Sequence, residues 1–89
     1  MRARQEAFHV LEELATKEKV VGIKQVRRVL RADGAKQVYL ACDADPWLIE
    51  PIMEMCQKAC VPVVKGFTMS QLGRASGIEV GTATVALTK

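Results

Sequence analysis

Basic side chains clustered beside a glycine are the part of this chain best suited to chemistry with a polyanion. Residues 17–36 contain seven lysines and arginines against two acidic residues, a net charge of +5. Residues 42–57 contain four acidic residues and no basic one, a net charge of −4. The formal charge of +3 for the whole chain therefore hides a dipolar molecule. A concentrated basic patch of this kind is typical of proteins that bind nucleic acid.

Four of these seven basic residues, Lys24, Arg27, Arg28 and Arg31, fall on one side of a helix that we predict over residues 23–32. At 100° per residue its apolar residues share one arc and its basic residues spread over the opposite side. Gly22 permits close backbone approach, and the free amides that follow it can receive a phosphate. Lys24, Gln25 and Arg28 are placed to reach base edges in a widened groove. The alternative interpretation is a solvated helix face, and this helix alone does not decide between the two.

A second candidate is the loop Gly77-Ile78-Glu79-Val80-Gly81. Two apolar residues flanked by glycines are unusual in a turn, because exposed loops favour polar residues. One interpretation places Ile78 and Val80 over extruded bases while backbone groups contact RNA. The alternative is that Ile78 makes the apolar contact that commonly follows a helix C-terminus. Taken alone, the loop favours this second interpretation.

Groups that could support catalysis or hold a metal are incomplete. Asp43 and Asp45 precede a helix, where carboxylates act as capping residues, and no partner completes a catalytic set. The sequence contains neither a glycine-rich phosphate loop nor a nucleophile motif. Cys56 and Cys60 lie one helical turn apart, but the single histidine, His9, is far away in the sequence. We expect no enzyme activity, no metal, no cofactor, and three buried free thiols.

The elements that position these residues alternate between helix and strand. Apolar periodicity and turn signals predict helices over 3–17 and 23–32, a helix that ends near Cys60 and a short helix that runs from a capping box at Thr68 and Gln71 to Gly77. Strands are predicted at 19–21, 38–42, 61–64 and 82–87, and Pro62 indicates either a sheet edge or the first residue of its strand. Gly34 is expected to end the second helix in the left-handed conformation. Asp45 is expected to cap the third helix, whose start is ambiguous because Pro51 follows Pro46. This alternation predicts an α/β class protein, a three-layer α/β/α sandwich.

Size and composition predict one globular domain over residues 1–89. No apolar run is long enough for a signal peptide or a membrane span, so we expect a cytoplasmic protein with no membrane partner. We also expect a monomer. Aromatic residues are too few to form a sheet surface that stacks single-stranded bases. If the protein binds nucleic acid, we therefore expect it to recognise a folded duplex or junction.

Three motifs follow one another along the chain. They are Val21-Gly22-Ile23-Lys24-Gln25 followed by Arg28, then Ala41-Cys42-Asp43-Ala44-Asp45-Pro46, and then Leu72-Gly73-Arg74-Ala75-Ser76-Gly77-Ile78-Glu79-Val80-Gly81. In order and spacing they resemble the kink-turn RNA-binding ribosomal protein family. That family includes the large-subunit proteins named seven-Ae and thirty-e and small stand-alone bacterial homologues. The resemblance covers about residues 5–88.

This resemblance implies a non-catalytic α/β/α sandwich with a four-stranded mixed sheet that binds kink-turns. In these RNA elements a three-nucleotide bulge and tandem sheared G·A pairs bend a helix sharply. The residues assigned to RNA binding by position are Gly22, Ile23, Lys24, Gln25, Arg28, Lys36, Ile78, Glu79 and Val80. Those that would enter the major groove at the G·A pairs are Gly22, Lys24, Gln25 and Arg28. Lys36 would lie near phosphates, and the loop with Ile78, Glu79 and Val80 would cover the bulge. The implied partner is a structured RNA, either ribosomal or regulatory. If the RNA is ribosomal, the ribosome is also an implied partner.

Three positions depart from the family pattern. Many relatives have threonine in place of Ile23, and archaeal members have asparagine and glutamate in place of Lys24 and Gln25. The change from an acid to a neutral residue and the added cation should raise nonspecific phosphate affinity. Ile23 also removes a hydroxyl that could bond RNA. These departures support an alternative function, a protein-interaction or assembly module on the same fold with only nonspecific RNA affinity.

Overall fold

The computed structural model describes residues 18–89, in which four strands alternate with three helices. The elements are β1 (Lys19–Val21), α1 (Ile23–Arg31), β2 (Ala35–Ala41), α2 (Pro46–Ala59), β3 (Val63–Phe67), α3 (Met69–Ala75) and β4 (Thr84–Thr88). The helix predicted over 3–17 lies outside the described residues and stays a prediction. Within residues 18–89, no helix is long and apolar enough to cross a membrane.

The four strands form one mixed sheet in the order β1-β4-β2-β3. β4 runs antiparallel to both of its neighbours, whereas β2 and β3 are parallel. β3 is an edge strand, which is one of the two alternatives that Pro62 indicated, and it begins directly after that proline rather than at it. These directions bring together the C-terminal ends of β1, β2 and β3 and the N-terminal end of β4. We call this border of the sheet, which consists of strand ends and not of an edge strand, the upper edge.

Alternate residues of the central strands divide the core into two layers. Val38 and Leu40 of β2 and Ala86 of β4 face α1 and α2, whereas Tyr39 and Val85 face α3. The helix side chains buried against the first face are Val26, Leu30, Ile49, Ile52 and Cys56, and Leu72 is buried against the second. Each large side chain buried in this way stabilises the fold by about 1.5–3 kcal/mol. The three-layer α/β/α sandwich with a four-stranded mixed sheet is therefore confirmed.

All three helices end in the same backbone turn, with one residue in the left-handed conformation. This residue is Asp33 after α1, Cys60 after α2 and Gly77 after α3, with φ of 56°, 57° and 82°. In each turn the next amide reaches back five residues, as in the bond from Gly34 N–H to Val29 O of 2.9 Å. The prediction for Gly34 was wrong by one position, because Asp33 adopts the left-handed conformation, which a short polar side chain tolerates.

The start of α2 resolves the ambiguity that its two prolines create. The helix begins at Pro46, where a missing amide costs nothing, and continues through Pro51. The side chain of Asp45 makes no capping hydrogen bond, so that prediction was wrong. Asp43 acts as a cap instead, but for α3, because the Met69 N–H donates to its Oδ1 at 2.8 Å.

The remaining differences concern strand limits and thiols. β2 starts at Ala35, three residues before the predicted start, and β3 and β4 are both shifted towards the C-terminus. Cys56 is buried as expected, but Cys42 and Cys60 are exposed, which corrects the expectation of three buried thiols. Within residues 18–89, no group of three or more histidine, cysteine or acidic residues is arranged to hold a metal ion.

Candidate nucleic-acid interface

Gly22 joins β1 to α1 at the upper edge and ties the start of the helix to the sheet. Its φ of 97° is unfavourable for a residue with a side chain. Its N–H donates to Thr84 O at 3.0 Å, and its carbonyl accepts from Val26 N–H at 3.0 Å. No side chain caps α1. The positive end of the helix dipole therefore faces outward at this edge, where an anion is stabilised.

The solvent-facing side of α1, which we call the outer face, carries its polar residues. These are Lys24, Gln25, Arg27, Arg28 and Arg31, all exposed. Val26 and Leu30 are buried on the opposite side, as the periodicity predicted. Within residues 18–89, the outer-face cations form no ion pair, and the first turn contains no acidic residue. The outer face therefore keeps its positive charge available to a phosphate backbone.

Ile23 differs from the other predicted residues of this helix. Its side chain is half-buried and packs against the core layer formed with α2. The structure therefore places its side chain against the core and its backbone at the uncapped start of α1.

The loop 77–81 is held against α3 by backbone contacts at both ends. Ile78 N–H donates to Gly73 O at 3.0 Å, and Thr82 N–H donates to Met69 O at 3.1 Å. Gly73 allows this close approach, because a Cβ at that position would overlap the carbonyl oxygen of Val80. The loop is therefore positioned by the helix beneath it.

A local cap and a distant one fix the start of α3. Thr68 and Gln71 form the predicted capping box, with the Gln71 N–H donating to Thr68 Oγ1 at 3.1 Å and the Thr68 N–H donating to Gln71 Oε1 at 2.8 Å. Asp43, from the end of β2, supplies the third bond, to Met69 N–H. These bonds connect the position of α3, and hence of the loop above it, to the upper edge of the sheet.

Side chains of the loop divide into one packed residue and two exposed ones. Ile78 is half-buried after the left-handed Gly77, as expected for the apolar contact of a helix C-terminus. Val80 is 71% exposed, however, and Glu79 is also exposed. The C-terminal contact therefore explains Ile78 but not Val80. An open cleft of about 320 Å³ lies between the loop and α3, lined by Ser70, Arg74, Ile78, Glu79, Val80 and Gly81.

The structure brings most of the predicted residues to one edge. The bond from Gly22 to Thr84 places the start of α1 beside the start of β4, into which the loop 77–81 leads. Lys24 and Gln25 lie in the first turn of α1, and Arg28 lies one turn further along. Lys36, in contrast, lies near the start of β2, at the opposite edge of the sheet. It is not brought together with the others.

Two features of this region were not predicted from the sequence. Gly73 is the buried residue against which the loop packs. The sequence showed it as a glycine inside a short helix and as part of the third motif, but neither signal predicted its contact with the loop. Trp47, in the first turn of α2, is 72% exposed. No pattern in the sequence distinguishes an exposed tryptophan at that position from a buried one.

The fold and this edge define a small α/β/α sandwich with a basic helix face beside an apolar loop. Residues 6–89 match the model of the Ribosomal protein L7Ae/L30e/S12e/Gadd45 family. An RNA-binding protein of Geobacillus sp. is 47% identical over 68 residues, which cover 76% of this chain and 83% of that protein. RNA-binding protein YbxF of Geobacillus stearothermophilus is 43% identical with the same coverage. The chain therefore belongs to this family, as the resemblance of its motifs indicated.

The solved structures agree on the fold. The structure of a 15.5kD RNA binding protein from Giardia lamblia superposes with a TM-score of 0.83 over 100% of this chain and 76% of that one. Its sequence identity to this chain is 23%, so this likeness concerns the fold alone.

Proposed function

We propose that this protein is a non-enzymatic RNA-binding protein that recognises kink-turn RNA. The observation that carries the proposal is the meeting of two surfaces at the upper edge, the cationic outer face of α1 and the loop with its exposed Val80. The names of the bacterial relatives, which are RNA-binding proteins, support it. Ribosomal or regulatory use of this binding, a cytoplasmic location and a monomeric state stay predictions.

The two surfaces have different tasks in this proposal. Phosphates are attracted by the outer face and by the uncapped helix start, which supplies affinity that falls steeply with salt. Arginine pairs well with the groove edge of guanine and glutamine with that of adenine, so Arg28 and Gln25 suit tandem G·A pairs. The loop then covers the bulge through Ile78 and Val80. Each good contact to a base contributes about 1–3 kcal/mol of discrimination.

A gel-shift titration at fixed moderate salt tests the proposal. It compares a kink-turn RNA with a version in which Watson–Crick pairs replace the tandem G·A pairs. We expect strong preference for the intact kink-turn. Equal and weak binding to both RNAs would contradict the proposal. It would favour the alternative function, a protein-interaction module, which the departures from the family pattern at Ile23 and Lys24 suggest.

Two arginines of α1 provide a matched pair of variants. Arg28→Ala and Arg31→Ala each remove one exposed cation from the outer face, so each should weaken nonspecific binding to a similar degree. Of these two arginines, Arg28 lies about one turn from Lys24 and Gln25, whereas Arg31 lies a further turn along the helix. We expect Arg28→Ala alone to lose about tenfold or more of the preference for G·A pairs, in line with the loss of one base contact. An Arg28→Ala variant with the parent's preference would remove α1 from base recognition.

A further inference from the structure

An exposed tryptophan lies at the same edge of the sheet as the proposed interface. Trp47 and Val80 are the large hydrophobic residues that stay exposed within residues 18–89, at 72% and 71%. Val80 belongs to the loop already described. Trp47 is the second residue of α2, and α2 follows β2, so it also lies at the upper edge. Tryptophan combines a large apolar ring with a polar N–H, which is why it is enriched at binding surfaces.

The sheet order sets how far Trp47 lies from α1. One strand, β4, separates β1 from β2, so the two segments that follow these strands leave the upper edge about 10 Å apart. α1 and α2 also pack against each other on the same face of the sheet. The starts of α1 and α2 are therefore neighbours along the upper edge, and Trp47 lies in the first turn of α2.

Charge around Trp47 selects the part of a nucleotide that fits there. Asp45 and Glu50 are exposed close by in the sequence, and residues 42–57 carry a net charge of −4. Phosphates are repelled by such a segment, whereas the neutral face of a base is not. Stacking on an aromatic ring is the usual way in which proteins hold an unpaired base.

We propose that Trp47 stacks against one unpaired base of the bound RNA and extends the interface from α1 to the start of α2. This inference rests on the proposed function. It adds a contact that tolerates any base, beside the base-specific contacts of α1. Because the ring is neutral, its removal lowers affinity without changing the salt dependence of binding.

Trp47 is the only tryptophan in the chain, so its emission reports directly on this contact. The experiment titrates the protein with the kink-turn RNA and follows tryptophan fluorescence and gel shift in parallel. We expect quenching that saturates at the same RNA concentration as the shift. A shift without a change in emission would overturn the inference and leave the proposed function intact. Absence of both signals would contradict the proposed function itself.

Three variants separate stacking from other roles. Trp47→Leu keeps an apolar side chain without a ring and should weaken binding about fivefold to a hundredfold. Trp47→Phe should restore most of the affinity, because a smaller ring still stacks. Gln57→Ala, at an exposed position near the other end of α2, should bind like the parent. Equal binding by the parent and Trp47→Leu would overturn the inference.

Abasic RNAs identify the base. Each nucleotide of the bulge is replaced in turn by an abasic one, and the parent is compared with Trp47→Leu on every RNA. For one of these RNAs the two proteins should bind equally, because the stacking partner is gone. A difference that persists on every abasic RNA would overturn the inference. Emission that changes with protein concentration alone would also overturn it, because a second copy would then cover the tryptophan.

Discussion

Replacement of Gly73 by alanine should destabilise this protein, although alanine is the better helix former. Alanine in a helix interior is favoured over glycine by about 1 kcal/mol. At this position, however, the added Cβ would overlap the carbonyl oxygen of Val80 and lie 3.1 Å from Cα of Gly81. Both contacts are with backbone atoms, which cannot rotate away as a flexible side chain can. The loop or the helix must therefore shift.

The size of the effect follows from these opposing contributions. Overpacking of this kind costs about 1–3 kcal/mol, and a backbone contact belongs at the upper end of that range. Subtraction of the gain in helix propensity leaves a loss of about 2 kcal/mol. In a domain of this size, 1 kcal/mol corresponds to about 4–8 °C in Tm. We therefore expect the Tm of Gly73→Ala to fall by about 10 °C, measured by far-UV circular dichroism.

Gly34 provides the matched control. A Cβ there would lie 3.4 Å from Cγ1 of Val29, an ordinary contact, and Gly34 does not have a positive φ. Gly34→Ala should leave the Tm unchanged or raise it, by up to about 1 kcal/mol of stability. If Gly73→Ala were as stable as Gly34→Ala, the close packing of the loop on α3 would be refuted. The same comparison in a gel shift shows whether the displaced loop also weakens RNA binding.

Three further predictions concern α3 and the thiols. Thr68→Ala removes the side-chain acceptor of the capping box and should lower the stability of the protein by about 1 kcal/mol, seen as a lower Tm. Thr68→Ser keeps the acceptor and should leave the Tm unchanged. Equal Tm values for the two variants would contradict a role for the cap. Burial raises the pKa of the Cys56 thiol above its ordinary value of 9.0, so as pH rises the thiol of the unfolded chain ionises before that of the folded protein. The free energy of unfolding should therefore fall as pH rises above about 9. Urea titration measures this fall, with Cys56→Ala as the reference. Iodoacetamide should modify Cys42 and Cys60 in the folded protein before Cys56, and equal rates at all three would contradict that burial.

Local sequence signals were sufficient for the elements whose structure depends on near neighbours. The periodicity of α1 reflects which side chains it buries, and the capping box at Thr68 closes within four residues. Distant contacts decided the start of β2, which was predicted three residues too late. The carbonyl of Gly34 accepts from Lys89 N–H at 2.9 Å, and Ala35 pairs with Thr88, which extends β2 beyond its apolar run. No local pattern encodes these partners.

In the candidate site, too, features set by near neighbours in the sequence were predicted, whereas features set by distant contacts were not. Motif spacing located the start of α1 and the loop, because each is a continuous segment. The position of Lys36 depends on the direction of β2, which follows from its antiparallel pairing with β4. The cap that Asp43 provides for α3 spans 26 residues of sequence. The exposure of Trp47 depends on what packs near the start of α2, which a single sequence does not state.

The position of β4 has a consequence for how the protein is made. It is the last of the described strands along the chain, yet it lies between β1 and β2 in the sheet, and β1 pairs with no other strand of residues 18–89. Gly22 also needs β4 for its bond to Thr84. During synthesis, the two surfaces of the upper edge cannot be aligned until residues 84–88 have left the ribosome and inserted into the sheet. A nascent chain that lacks them has the basic residues but no assembled upper edge, so the proposed RNA interface can form only after that strand is in place.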